Sequence, residues 1–337
     1  MEKWTQLNNA RRLEIFQQVS NLINLPAEAV EKDWWVTATL RALFSLPLAN
    51  HFVFKGGTSL SKCWGYLDRF SEDLDVAMDR ESLGFTGEMT KTQIKKLRKK
   101  SSEYVSTVLK EALATQLSHL GIPTEEFQVQ AESHPDGMSD HDPQRLFVFY
   151  TALTARNGYL KDQVIVEIGS RSQLEPSERK AVTSFVDSAY PDASFAQAPF
   201  QLFAISPAKT LLEKTILLHE KQAQTELPQA YQDRTSRHLY DLERLMHTPY
   251  YRTAMEDESL YASIIAHRAR FTPIRGIDYT LLTKQSLDFI PSGEWHHFFE
   301  RDYQRMRENM IFGPSLTFPE LIARLQVLKA ALSNSAI

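Results

Sequence analysis

The order of apolar and polar positions changes period several times along this 337-residue chain. Residues 10–46 repeat their apolar positions at helical spacing, with Pro26 at a break and Trp34, Trp35, Leu40, Leu43 and Phe44 marking the second stretch, so two helices are expected. HFVF (51–54) is a short apolar run that predicts a buried strand. Leu60, Cys63, Trp64 and Leu67 then fall at i, i+3, i+4 and i+7, which predicts an amphipathic helix starting just after Gly56 and Gly57. DLDVAM (73–78) alternates like a strand, 91–117 reads as a long helix, and 127–133, 146–153 and 163–170 read as further strands. After Pro207 the pattern is helical at 208–222, 233–247, 256–267, 294–311 and 317–333. The fold class expected is α+β. An N-terminal half, 1–200, carries a mixed sheet and the helices of 10–46, and an all-helical half follows over 201–337.

Composition changes this picture little. With 42% hydrophobic and 24% charged residues the chain has the make-up of a folded, soluble protein. No run approaches the length of a bilayer span, and the first residues, MEKWTQLNNARRLEIF, hold no apolar signal core, so a cytoplasmic protein is expected. A formal charge of −4 removes any protein-wide basic field, so contact with nucleic acid has to be local. The single cysteine, Cys63, excludes an internal disulfide and a cysteine metal site, and its place among apolar helix positions reads as packing. A P-loop lysine motif, a G-x-S-x-G elbow and a CxxC pair are all missing from the sequence, which leaves those three chemistries without support.

Candidate chemistry concentrates in residues 51–80. A strand, a Gly56-Gly57 turn and a helix start aim backbone N–H groups at one place, and the hydroxyls of Thr58 and Ser59 are candidate extra donors, an arrangement that suits phosphate. In Asp73-Leu74-Asp75-Val76 the strand period of two sends both aspartates to one face. Two adjacent carboxylates need a compensating cation, and a hard one such as Mg²⁺ also binds nucleotide phosphates. A lone acid, Glu167, interrupts the apolar strand Val164-Ile165-Val166-Glu167-Ile168, where a buried carboxylate is costly unless paired or bound to metal. Three acids gathered around metal ions suit in-line phosphoryl or nucleotidyl transfer.

These motifs resemble the AbiEii/AbiGii toxin family of nucleotidyltransferases, relatives of DNA polymerase beta. The resemblance runs from Glu31-Lys32-Asp33-Trp34-Trp35 through Gly56-Gly57-Thr58-Ser59-Leu60 and Arg69-Phe70-Ser71-Glu72-Asp73-Leu74-Asp75. It continues in Glu213-Lys214, Arg237-His238-Leu239-Tyr240-Asp241-Leu242, Asp302-Tyr303-Gln304-Arg305-Met306 and Phe312-Gly313. It implies a toxin of a bacterial type IV toxin–antitoxin or abortive-infection system, with a cognate antitoxin as partner. The implied reaction is transfer of a nucleoside monophosphate from an NTP to an acceptor, the 3′ end of tRNA in relatives. It assigns Asp73 and Asp75 to the metal, Lys214 to the family's motif lysine and Asp241 to its late acid. The chain departs from the pattern at His238, where many relatives carry an aspartate.

From the residues alone, Lys214 sits at the edge of an apolar stripe, a place for either a snorkelling cation or a triphosphate contact. Arg234, Arg237, His238 and Asp241 are expected to share one helix face, where Arg237 either pairs with Asp241 or meets phosphate. The run KTQIKKLRKK, with Lys91, Lys95, Lys96, Arg98, Lys99 and Lys100, is either a solvated face or an RNA patch. His134, Asp136, Asp140, His141 and Asp142 lie in a Pro- and Gly-containing loop whose spacing matches no standard metal site. His296 and His297 adjoin Trp295 and Phe298 and read as packing. The expected protein is thus an Mg²⁺-dependent nucleotidyltransferase with an NTP cleft between its halves. Asp73, Asp75 and Glu167 are its metal ligands, Gly56, Gly57, Thr58 and Ser59 its phosphate cradle, and Lys214, Arg237 and Asp241 its remaining site residues. Transfer to a protein or small molecule, or a silent nucleotide-binding module acting through protein contacts, are the rival expectations.

Overall fold

Seven strands form one mixed sheet whose central members are the short apolar runs legible in the sequence. They are β1 (Phe52–Lys55), β2 (Asp73–Met78), β3 (Phe127–Ala131), β4 (Gln144–Tyr150), β5 (Gln163–Gly169), β6 (Ser177–Val182) and β7 (Phe200–Ile205), in the order β3-β4-β5-β2-β1-β7-β6. The computed structural model describes residues 3–71, 73–133, 142–155, 160–223 and 234–334. β2 runs parallel to β5 and antiparallel to β1, β4 is antiparallel to both β3 and β5, and β1 is parallel to β7. The chain divides into two compact units: one comprises 1–64 and 70–204, the other 65–69 and 205–337.

In the first unit the sheet has two unlike faces because side chains alternate along each strand. Leu74, Val76, Leu146, Val148, Val164, Val166 and Ile168 are fully buried on one face. Helices α1 (Asn9–Ile23), α2 (Ala27–Leu43), α3 (Gly56–Lys62), α4 (Lys91–Tyr104), α5 (Lys110–His119) and α6 (Phe185–Ala189) accompany it, with α2 packed on β5 and α5 on β3. The other face of the same strands carries Asp73, Asp75, Arg145, Phe147, Phe149, Ile165 and Glu167, which are half-buried or exposed.

α2 is buried on nearly every side, including the charged run Glu31-Lys32-Asp33. Buried charges persist only when paired or hydrogen-bonded. Glu31 accepts from the backbone of Leu153 and Thr154 at 2.8 and 2.9 Å, and Lys32 Nζ donates to Lys161 O at 2.7 Å. Asp33 accepts from Phe185 N at 2.8 Å and pairs with Lys62. Burial pushes the Asp33 carboxyl above its ordinary range, with Lys62 opposing. The Glu-Lys-Asp run therefore ties the β4–β5 connection, the start of α6 and the end of α3 to one helix.

α3 is shorter than the apolar spacing predicts. It stops at Lys62, Gly65 turns the chain at φ +65°, and Leu67 is buried outside any helix. Cys63 is half-buried, and burial pushes its thiol up to about 12, so it packs as a neutral group. β6 and β7 lie outside the strands that the sequence predicts: β6 is a mostly polar edge strand with no apolar alternation to mark it.

The second unit is helical: α7 (Pro207–Gln222), α8 (Arg237–Leu245), α9 (Tyr250–Glu256), α10 (Glu258–Phe271), α11 (Glu294–Asn309) and α12 (Phe318–Asn334). α7 packs on α8, α9 and α10, and α12 packs on α8. The segment 65–69 joins it through Phe312 N donating to Asp68 O at 3.0 Å and Arg244 Nη2 donating to Asp68 Oδ2 at 2.9 Å. At Gly313 a Cβ would meet Asp68 Cβ at 2.5 Å, so only glycine fits there. His296 packs edge-on against Phe318, with ring centroids 5.1 Å apart.

Candidate active site

In the first unit, sheet register assembles what the strand period only implies. Cα partners run Lys55 with Asp75, Asp75 with Glu167, and Glu167 with Arg145, so four charged residues form one row across β1, β2, β5 and β4. Asp73 stands two residues back on the same face of β2, opposite Ile165. The three predicted acids therefore share one face of two adjacent strands, and strands lie about 4.8 Å apart.

Gly56, at the start of α3, has φ +79°, and a Cβ built there would lie 2.0 Å from Asp75 Oδ2. The glycine is required twice over: for its left-handed backbone and for the carboxylate that lies against it. Thr58 and Ser59 are buried, and their hydroxyls turn inward. Thr58 Oγ1 donates to Asp73 O at 2.5 Å, and Ser59 Oγ donates to Gly56 O at 2.9 Å. The first bond ties the turn to the strand of aspartates, and the second closes the turn on itself.

Arg145, like Lys55, is a residue of this row that sequence reasoning missed. Its Nε donates to Glu167 Oε1 at 2.7 Å, and Nη1 lies 3.5 Å from Glu132 Oε1. Partial burial lowers its pKa, but Glu167, Glu132 and Asp73 outweigh this and raise it, so the guanidinium is firmly charged. A lone acid in an apolar strand signals some partner, but the register that supplies this one is a tertiary property. Asp73, Asp75 and Glu167 offer hard oxygen donors beside the cationic Lys55 and Arg145 of the same row. Among the described residues the ligand atoms of Asp73, Asp75 and Glu167 are not gathered within 4.8 Å of one another, as those of His296, His297 and Glu300 are, so the three acids are hard-oxygen candidates for a divalent ion rather than a preformed metal site.

In the second unit, Asp241 is fully buried and holds two cations. Arg69 grips it through Nε to Oδ1 at 2.6 Å and Nη2 to Oδ2 at 2.9 Å, and Lys214 Nζ lies 2.9 Å from Oδ2. Burial alone would raise the Asp241 carboxyl; Arg69 and Lys214 reverse that and hold it at about 2. Lys214 also meets His238 Nδ1 at 3.1 Å. Burial, then Lys214, Arg237 and Lys221, push His238 well below its ordinary value, so its ring is neutral and accepts from Lys214. Burial, then Arg237 and Lys214, bring Lys221 down to about 8. Cationic groups are thus concentrated around one buried acid, as anion-binding sites require.

The expected four-residue helix face is not formed in full. Arg234 has φ +66° and precedes the helix, and its N–H, with that of Ser236, is held by Asp302 at 2.9 and 2.7 Å. Asp302 is thereby a structural clamp. Asp241 is gripped by Arg69, which lies 172 positions away in sequence and outside any local helix spacing.

The remaining candidates fall elsewhere. α4, with its lysine run, packs inward through Ser102, whose Oγ donates to Gln144 Oε1 at 3.0 Å. Gln144 points to the face opposite Arg145, so the basic helix lies on the covered side of the sheet. His134, Asp136, Asp140 and His141 lie outside the described residues, as does Glu72. Asp142 binds Ser170 N at 2.8 Å and Arg171 Nε at 2.7 Å.

With this geometry in place, comparison with known proteins decides the family. The family described as "Nucleotidyl transferase AbiEii toxin, Type IV TA system" matches residues 39–324. The chain belongs to the AbiEii family. As an AbiEii member it is a nucleotidyltransferase of a toxin family, and residues from Gly56 to Asp302 all fall within the matched region. Among curated proteins, none matches in sequence. Among solved structures, the chain is similar to MenT4, a nucleotidyltransferase toxin from Mycobacterium tuberculosis H37Rv. That match has 18% identity, covers 98% of each chain and has a TM-score of 0.42.

Proposed function

We propose that this AbiEii protein is an Mg²⁺-dependent toxin that transfers a nucleoside monophosphate from an NTP to the 3′-hydroxyl of an RNA, with tRNA as the acceptor. The observation that carries the reading is the convergence of Asp73, Asp75 and Glu167 on one sheet face, with Gly56 directly against Asp75. Bound Mg²⁺ would neutralise the triphosphate and lower the pKa of the attacking hydroxyl.

The chain's own residues supply placement and charge. Asp73 and Asp75 would hold the metal, and Glu167, shared with Arg145, would complete the donor set and orient the acceptor hydroxyl. Gly56 and Gly57 would let the backbone approach the phosphates, while Thr58 and Ser59 fix the turn that makes this possible. Asp241 would act by holding Arg69 and Lys214 in place, and Lys214 and Arg237 would bind the triphosphate. No covalent intermediate is needed, so positioning and charge neutralisation provide the rate enhancement. The chemistry is an attack by the 3′ oxygen on the α-phosphorus, which breaks the bond to the β-phosphate and releases pyrophosphate, the hydroxyl proton passing to solvent. A cognate antitoxin follows from the type IV system to which the family belongs.

The test incubates purified protein with Mg²⁺, total bacterial RNA and each α-labelled NTP in turn, with and without periodate oxidation of the RNA 3′ ends. Label in a tRNA-sized band, lost after periodate, supports the reading. Label on protein, or a band unaffected by periodate, overturns the proposed acceptor.

A further inference from the structure

The face of the sheet that bears the acids also carries two stacked aromatic side chains that the reading above leaves unused. Phe147 and Phe149 sit at alternate positions of β4, with ring centroids 5.9 Å apart and planes 26° from parallel. Both are half-buried on the face opposite the fully buried Leu146 and Val148. Register places Phe149 between Gln128 and Gln163, and Phe147 between Gln130 and Ile165. An aromatic pair flanked by amides combines a stacking surface with groups that both donate and accept hydrogen bonds. That is the chemistry that recognises an unpaired nucleobase, whose face is apolar and whose edge is polar.

Position identifies which base. Asp73, Ile165 and Phe147 are successive partners across β2, β5 and β4, so Phe147 lies about 10 Å from the metal-binding strand. The Gly56-Gly57 turn follows β1, on the opposite side of β2. In-line displacement puts the attacking hydroxyl opposite the departing pyrophosphate. If the turn takes the phosphates, the acceptor strand approaches over β5 and β4.

We propose that Phe147 and Phe149 form a stacking platform for the unpaired 3′-terminal bases of the acceptor RNA. The proposal rests on the nucleotidyltransfer reading and adds the surface that selects a single-stranded end over a duplex. Sequence-tolerant stacking there positions the terminal ribose over the acids, while the amides of Gln128, Gln130 and Gln163 contact base edges.

The experiment compares the full-length wild type with Phe147→Leu/Phe149→Leu, which keeps apolar volume but removes the ring faces, and with Phe147→Trp/Phe149→Trp, which restores them. Initial rates give KM separately for RNA and NTP, and anisotropy without Mg²⁺ measures binding of a single-stranded oligonucleotide and of a blunt duplex. The expected result is an RNA KM raised at least about tenfold in the leucine variant and recovered in the tryptophan variant, with the NTP KM unmoved. The wild type should prefer the single strand, and the leucine variant should lose that preference. An unchanged RNA KM overturns the platform, and so does a rise confined to the NTP KM, which would assign the rings to the incoming base. If wild-type protein labels no RNA, the transfer reading fails instead, and anisotropy decides alone: weaker single-strand binding by the leucine variant sustains the platform, and equal binding overturns it.

Discussion

Replacing Gly56 by alanine separates backbone strain from damage to the candidate site. The new Cβ would lie 2.0 Å from Asp75 Oδ2, where real contacts stay beyond 3.0 Å, so the carboxylate must retreat by about 1 Å. A misplacement of about 1 Å in a positioned group costs on the order of 100-fold in rate. Holding alanine at φ +79° costs a further 1–2 kcal/mol or so, which lowers Tm by roughly 2–8 °C in a domain of this size. Gly65→Ala supplies the control, because Gly65 has φ +65° and a Cβ added there would meet nothing within 4 Å. Both variants should lose Tm in differential scanning calorimetry, Gly56→Ala at least as much as Gly65→Ala because it adds the contact with Asp75. Only Gly56→Ala should lose about two orders of magnitude in kcat for nucleotide transfer. Equal kcat in the two variants would refute the reasoning that Asp75 is placed by its contact with Gly56.

Three further outcomes follow from the charges. Asp241→Asn leaves Arg69 and Lys214 buried beside a neutral amide and should destabilise the protein by about 3–5 kcal/mol near neutral pH in urea unfolding. The Asp241 carboxyl is held at about 2, below its ordinary 3.8. Its contribution is therefore complete above about pH 4 and lost as pH falls towards 2, so the gap between wild type and variant should narrow over that range. Lys221→Met should raise Tm at pH 7, because burial holds the Lys221 ammonium down at about 8 against an ordinary 10.5. Below pH 8 that charge is carried at a cost in the folded state, the cost fades as pH rises towards 10.5, and the variant's advantage should shrink with it. Chelation by EDTA should abolish transfer and added Mg²⁺ restore it, while isothermal titration with Mn²⁺ should show weakened binding in Asp73→Asn/Asp75→Asn; transfer that persists in EDTA would contradict the metal assignment.

The legible parts of the site are those written in local period. Asp73 and Asp75 share a face because strands repeat every two residues, and Glu167 stands out because an acid in an apolar strand is costly. Gly56 is legible as a turn glycine, but its contact with Asp75 depends on β1 and β2 pairing. Arg145 is not legible, since its value lies in cross-strand register with Glu167. Asp241 stands out on its helix, yet Arg69, which grips it, lies far away in sequence where local spacing does not reach. Thr58 and Ser59 show a general limit: residue type names them donors, while burial decides where they donate. In the fold, the central strands announce themselves through apolar runs. β6 does not, because an edge strand exposes polar residues that read as loop.

The central claim is that Asp73, Asp75 and Glu167 direct attack on the α-phosphorus of an NTP. Its most direct test is a pair of identical incubations with RNA, one with α-labelled and one with γ-labelled NTP, run for wild type and Asp75→Ala. The account predicts α-label in RNA, γ-label released as pyrophosphate, and neither event in an Asp75→Ala protein whose melting is cooperative. γ-Label entering the product, or α-label transferred undiminished by Asp75→Ala, would contradict it.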